Sequence, residues 1–186
     1  MKKIILFALM VLPVMANAQF SLTINGFVSS QDNSKNYVVF DYDSISKEKL
    51  YTNVLKFITA NYKSAKDVVS KVDNEIITIN ALQPKQIKAK TLKYDISYTL
   101  VVNFKDNKIK IDSPTFECTS YAFNKPYRLT MSGSNGGFGS EITVGLFKKN
   151  GEPSQKDTIG EIESFINSLC NEIKLAASGG SNNEEW

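Results

Sequence analysis

Between Lys93 and Lys105 every even-numbered position up to 104 is apolar: Tyr94, Ile96, Tyr98, Leu100, Val102 and Phe104. The odd positions between them read Asp95, Ser97, Thr99, Val101 and Asn103. A period of two sends successive side chains to opposite faces of a strand, so one face of this stretch is dry and the other wet. At roughly twelve residues it is longer than most strands and belongs in the middle of a sheet. Asp106-Asn107 closes it as a two-residue turn, which sets Phe104 against Ile109 and Val102 against Ile111 on the apolar face. Pro114 interrupts the return strand, and beyond it the apolar phase moves to Phe116 and Cys118. A one-residue slip of that kind is what a bulge produces, so the register set by the turn should fail past Pro114.

The flanking segments supply partners for this strand. Residues 36–42 alternate Val38, Phe40 and Tyr42 against Tyr37, Val39 and Asp41 and read as a strand buried mostly on one face. Ser46 is a good N-cap for a helix over 46–63, whose apolar stripe runs through Leu50, Val54, Phe57, Ile58 and Tyr62, with Lys49, Lys56 and Lys63 on the opposite face. Residues 68–72 and 75–82 read as strands joined by Asp73-Asn74, and 84–90 as a lysine-rich connection without apolar period. Two further strands fall at 126–131 and 141–148, separated by the glycine-rich tip 132–140. Thr158 with Glu161 has capping-box spacing, opening a helix whose stripe is Ile159, Ile162, Ile166, Leu169 and Ile173. The order is strand, helix, a run of antiparallel strands, helix. That predicts an α+β two-layer sandwich, an antiparallel sheet with two amphipathic helices on its apolar face.

The termini read differently. Lys2 and Lys3, an apolar run from Ile4 to Met15 and the small-x-small site Ala16-Asn17-Ala18 have the form of a cleavable signal peptide over residues 1–18. The run is too short to be kept as a membrane span, which needs about 20 residues. The mature chain then starts at Gln19, with a polar, loosely held arm over 19–35, a single domain over 36–177 and a disordered tail over 178–186. Lys2 and Lys3 account for two of the 22 basic residues, so 20 face 19 acidic ones in the mature chain, near +1. Such a balance gives no reason to expect nucleic acid as a partner. The expected place is the periplasm or cell surface of a Gram-negative bacterium, as a protein not integral to the membrane. Cys118 and Cys170 stand in a compartment where disulfides persist; they either bond to each other or pack as two separate buried thiols.

No constellation of residues commits the chain to a reaction. It has no histidine, which removes Ser-His and Cys-His nucleophilic systems and histidine-ligated zinc. Two distant cysteines make no zinc site, and no metal or cofactor is called for. Asp41, Asp43, Asp95, Asp112 and Glu117 are the carboxylates an enzyme would draw on, yet their spacing creates no catalytic pair. The glycine-rich tip lacks the Gly-Lys-Ser/Thr ending of a phosphate loop. Lys49, Lys56, Lys63, Lys85 and Lys88, with Lys90 and Lys93, form either a solvated surface or a patch for an acidic partner. The wet face of the long strand, Asp95, Ser97, Thr99 and Asn103, is the candidate binding surface for an envelope protein, an extended peptide or a glycan. The leading expectation is therefore a non-catalytic binding or assembly module. A small carboxylate-based hydrolase of glycan or peptide is the alternative, and a homo-oligomer through exposed edge strands the third.

Three segments carry a family resemblance: Ser46-Lys-Glu-Lys-Leu-Tyr-Thr-Asn-Val-Leu-Lys-Phe-Ile-Thr-Ala-Asn-Tyr62, the hairpin 67–80, and Leu92-Lys-Tyr-Asp-Ile-Ser-Tyr-Thr-Leu-Val-Val-Asn-Phe-Lys-Asp-Asn-Lys108. The chain resembles, over about residues 36–120, a family of secreted bacterial domains of unknown function with a TBP-like fold. That family carries an aromatic residue in the middle of the helix, matched here by Phe57. The resemblance implies a curved antiparallel sheet backed by helices in a protein exported by a Gram-negative bacterium, and it implies no activity. The nucleic-acid role that the fold's name suggests does not transfer, because fold does not carry function.

Overall fold

The computed structural model describes residues 18–134 and 141–180. Residues 1–17, which hold nearly all of the expected signal peptide, the tip 135–140 and the tail from 181 onward lie outside the described residues. In chain order the elements are β1 (Phe20–Thr23), β2 (Gly26–Ser29), β3 (Tyr37–Asp41), α1 (Lys47–Asn61), α2 (Ala65–Val68), β4 (Val69–Val72), β5 (Ile76–Ala89), β6 (Leu92–Lys105), β7 (Lys108–Asp112), β8 (Thr115–Ala122), β9 (Lys125–Ser132), β10 (Ile142–Phe147) and α3 (Lys156–Ala177).

The long strand β6 is the spine. It pairs along its length with β5 on one side, and on the other with β7 near its end and β8 near its middle. The Asp106-Asn107 turn sets Phe104 against Ile109 and Val102 against Ile111. Past Pro114 the register shifts by one, with Ile96 facing Cys118 and Tyr98 facing Phe116, the slip that the proline and the changed phase require. β4 extends the sheet beyond β5, β3 beyond β7, and β9 and β10 beyond β8. The turn also anchors α1: Asp106 Oδ1 accepts the Lys47 N–H and Asn107 Oδ1 the Ile45 N–H, both at 2.9 Å. Ser46 accepts the Lys49 N–H as N-cap.

Every even-numbered side chain from Tyr94 to Phe104 is buried, together with Leu50, Val54 and Ile58 of α1 and Ile162, Ile166, Cys170 and Ile173 of α3. Both helices therefore lie on one face of the sheet. The odd positions from Asp95 to Asn103 stay intermediate or exposed.

Four features depart from the sequence reading. The arm at 19–35 is not loosely held: β1 and β2 form a hairpin whose Phe20, Leu22 and Phe27 join the core. Phe27 meets Phe116 edge-on at 5.6 Å. Asn167 of α3 accepts the N–H groups of Gln19 and Phe20 through Oδ1 and donates Nδ2 to the Phe20 carbonyl, each at 2.9 Å. The hairpin thus completes the helix layer. The connection at 84–90 is strand as well. β5 continues through a bulge between Gln83 and Ile87, and the buried Ile87 faces Tyr94. Thr158 and Glu161 form no capping box, since Gln155 caps α3 without a side-chain bond. They reach across instead to one residue of β5, Thr158 Oγ1 donating to the Lys88 carbonyl and Glu161 accepting the Lys88 N–H. Finally, β10 runs parallel to β9, whereas the other pairs of the sheet are antiparallel.

Candidate functional site

The wet face of β6 gathers its neighbours through register. Ser97 lies between Leu82 of β5 and Glu117 of β8, and Thr99 between Asn80 and Thr115. These six residues line a shallow trough of about 660 Å³ running along the strands. Thr99 Oγ1 donates to Asn80 Oδ1 at 2.7 Å, which fixes both side chains. Among the described residues no hydrogen bond engages the side chains of Ser97, Thr115 or Glu117, so hydroxyl and carboxylate groups stand ready for a ligand. Leu82, 59% exposed, gives the trough an apolar wall.

The two remaining residues singled out on this face are tied to the protein itself. Asp95 accepts the Lys85 N–H at 2.7 Å and holds the β5 bulge. Asn103 Nδ2 donates to Asp112 Oδ2 at 2.8 Å, while Asp112 pairs with Lys110 at 2.7 Å. The four candidates share a face, but Ser97 and Thr99 form the open trough and Asp95 and Asn103 flank it. Val101, between Thr99 and Asn103, adds a further half-buried apolar position.

The lysines do not make one patch. Lys49, Lys56 and Lys63 are exposed along and just past α1, and Lys56 lines a groove with Asn53, Ala176 and Gly179. Lys85, Lys88 and Lys93 face Asp157, Glu161 and Glu172 of α3 across a different groove of about 930 Å³. Three positive and three negative side chains line that groove, a balance that no purely acidic ligand demands.

The candidate carboxylates are dispersed. Asp41 pairs with Lys108 at 3.4 Å on the β3 edge, Asp112 is engaged as above, and Asp43 follows β3 in an exposed loop. Asp95 and Glu117 are a diagonal pair on the wet face, because Asp95 faces Thr119 and Glu117 faces Ser97. Diagonal positions of a ladder lie about 7–8 Å apart, within the range two-carboxylate chemistry uses.

Cys118 and Cys170 are free and buried, the second of the two arrangements the sequence left open. Burial pushes each thiol up to about 12, which leaves both protonated and unreactive at neutral pH. Beneath the sheet the Tyr62 and Tyr98 hydroxyls share a hydrogen bond of 2.8 Å, and burial raises both above the ordinary phenol value. Among the described residues no three His, Cys, Asp or Glu side chains gather as a metal centre requires. Among the same residues no helix is long and apolar enough to cross a membrane.

A sheet carrying helices on one face and bare on the other is the TBP-like arrangement. A TBP-like protein from Parabacteroides distasonis has a similar crystal structure, with a TM-score of 0.56 and 18% identity over 76% of this chain and 90% of that one. A DUF4468 family protein from Bacteroides ovatus is similar with a TM-score of 0.53 and 12% identity, over 81% of this chain and 88% of that one. At such identities the likeness concerns the fold. Residues 37–118 match the family described as a domain of unknown function (DUF4468) with TBP-like fold. No curated protein matches the chain.

Proposed function

We propose that the chain is an exported, non-catalytic binding or assembly module of the cell envelope, whose wet sheet face takes an extended peptide or glycan. The observation that carries this reading is the trough over β5, β6 and β8. It follows the strand direction, offers the unengaged groups of Ser97, Thr115 and Glu117, and adds exposed Leu82 beside them. A ligand lying along strands meets side chains at alternate positions, which suits a linear chain better than a compact small molecule. The test is affinity capture from the native envelope with the purified protein, in parallel with Ser97→Arg, which fills the trough without touching the core. A ligand retained by the wild type and lost by the variant supports the reading; equal retention by both, or none by either, removes it.

The hydrolase reading keeps one observation in its favour, the diagonal pair of Asp95 and Glu117. Under it, glycan or peptide turnover by the wild type disappears in both Asp95→Asn and Glu117→Gln, because acid and base are each required. Under the binding reading there is no turnover to lose, and Asp95→Asn acts only by loosening the β5 bulge.

A further inference from the structure

The β8–β9 ladder ends with Ala122 facing Lys125, leaving Phe123-Asn124 as a two-residue turn. Both residues have positive φ, 51° and 59°, the signature of a type I′ turn, which favours Asn, Asp or Gly at each central position. Asn124 obeys that preference and Phe123 does not. A bulky residue in the left-handed region is an outlier that the backbone tolerates only at a cost. The fold does not recover that cost by packing, since Phe123 is 82% exposed and Tyr121, two residues before it, is 72% exposed.

The same end of the sheet carries a group of exposed lysines. Asp95 faces Thr119, and the Ser120 hydroxyl donates to the Lys93 carbonyl at 2.8 Å. The β5–β6 turn, with Lys88, Lys90 and Lys93 around it, therefore lies beside the aromatic tip. All three lysines are exposed, and among the described residues none is in an ion pair. The carboxylates that line grooves with these lysines are Asp157, Glu161 and Glu172 of α3, and Glu161 accepts the Lys88 N–H.

We propose that this end of the molecule docks on an anionic phospholipid bilayer, Phe123 and Tyr121 entering the boundary between headgroups and acyl chains while Lys88, Lys90 and Lys93 meet the phosphates. A ring at the apex of a protruding turn seats itself in a soft apolar layer without needing a shaped pocket. Lysines around it extend their stems over that layer with the charge outward. This surface is separate from the trough, so either reading stands or falls without the other.

The experiment uses protein purified from cells expressing the full chain. It is sedimented with phosphatidylglycerol/phosphatidylethanolamine vesicles, and thermal unfolding is recorded alongside. The expected result is that the wild type sediments and that Phe123→Asn, which restores the preferred turn residue, binds roughly tenfold more weakly with an equal or higher Tm. The double variant Lys90→Glu/Lys93→Glu should lose more than about tenfold, and wild-type binding should fall with salt. The proposal is overturned by a wild type that stays in the supernatant, by unchanged sedimentation of Phe123→Asn, or by a lowered Tm for that variant, which would make the ring a packing element. A change from dimer to monomer in Phe123→Asn without vesicle binding would assign the tip to contact between copies and overturn it equally.

Discussion

Replacing Asn167 by Ala should release the β1–β2 hairpin from an otherwise intact domain. The Asn167 side chain is buried and makes three hydrogen bonds to hairpin backbone, accepting two N–H groups and donating to one carbonyl. Each buried backbone group left without a partner costs about 1–3 kcal/mol, so the sum is roughly 3–9 kcal/mol if nothing relaxes. The hairpin has little margin to absorb it. Burying Phe20, Leu22 and Phe27 contributes about 1.5–3 kcal/mol each, and ordering the hairpin costs about 1–2 kcal/mol per residue. The low-energy response is therefore local: the hairpin lifts off, and the measured global loss is smaller than the sum of broken bonds. Hydrogen exchange read by mass spectrometry should show the amides of 20–29 becoming nearly unprotected while those of β6 keep wild-type protection. Asn167→Asp separates the parts, since a carboxylate still accepts both N–H groups but cannot donate to the Phe20 carbonyl; its effect should be intermediate. Exchange of 20–29 within about tenfold of the wild type in Asn167→Ala would refute the reasoning, because the hairpin would then be held by its aromatic contacts and by its bonds to Glu163 and Ser113.

Four other outcomes follow from local features of the structure. Both cysteine thiols are raised from 9.0 to about 12 by burial; a raised pKa means the stability they contribute is whole below pH 9 and is lost as pH climbs toward 12. Urea titrations should show a drop of about 1.4 kcal/mol per thiol per pH unit in that window, and a flat profile from pH 8 to 11 would contradict it. The thiols should also react with Ellman's reagent only once urea unfolds the chain, whereas a bonded pair would stay silent throughout. A Cβ on Gly145 would sit 3.0 Å from the backbone N and O of Gly133, so Gly145→Ala should destabilise by about 1–3 kcal/mol in urea; a neutral effect would show that this strand edge can shift. Thr158→Val with Glu161→Ala strips both side-chain bonds from the Lys88 backbone and should cost about 1–3 kcal/mol, with faster exchange of the Lys88 amide as its local marker.

Much of the spine is written in the side-chain period. The alternation from Tyr94 to Phe104 fixes which face meets the helices, the Asp106-Asn107 turn fixes the β6–β7 register, and Pro114 with the phase change at Phe116 marks where that register ends. The hairpin at the start of the chain was equally present in outline, as Phe20 and Leu22 alternate and Asn25-Gly26 is a turn dipeptide. Strands of four residues are too short for periodicity to stand out, and what holds them is Asn167, nearly the whole domain away in sequence. At 84–90 the bulge after Gln83 breaks the alternation before Ile87 resumes it, so the pattern looks like a connection. The direction of β10 is not legible at all: alternating Ile142, Val144 and Leu146 specify a face and say nothing about whether the neighbour runs parallel.

The same logic separates the legible part of the candidate site from the rest. Residues on one strand share a face by parity, so Asp95, Ser97, Thr99 and Asn103 emerge from the same alternation that gives the core. Their partners do not, because Asn80, Asp112 and the Lys85 N–H arrive by register between strands. A sheet covered on one side must also keep its bare side soluble, and rows of Ser, Thr and Asn do that whether or not anything binds. Polarity alone is thus weak support for a ligand. The stronger signals are the places where solubility or turn chemistry is overruled: Leu82, exposed beside the trough, and Phe123, a ring in a turn that favours Asn or Gly. Neither position contributes to the core. A single exposed apolar side chain such as Leu82 is ordinary on a protein surface, so the sharper mark is Phe123, where exposure coincides with a left-handed backbone that a ring disfavours.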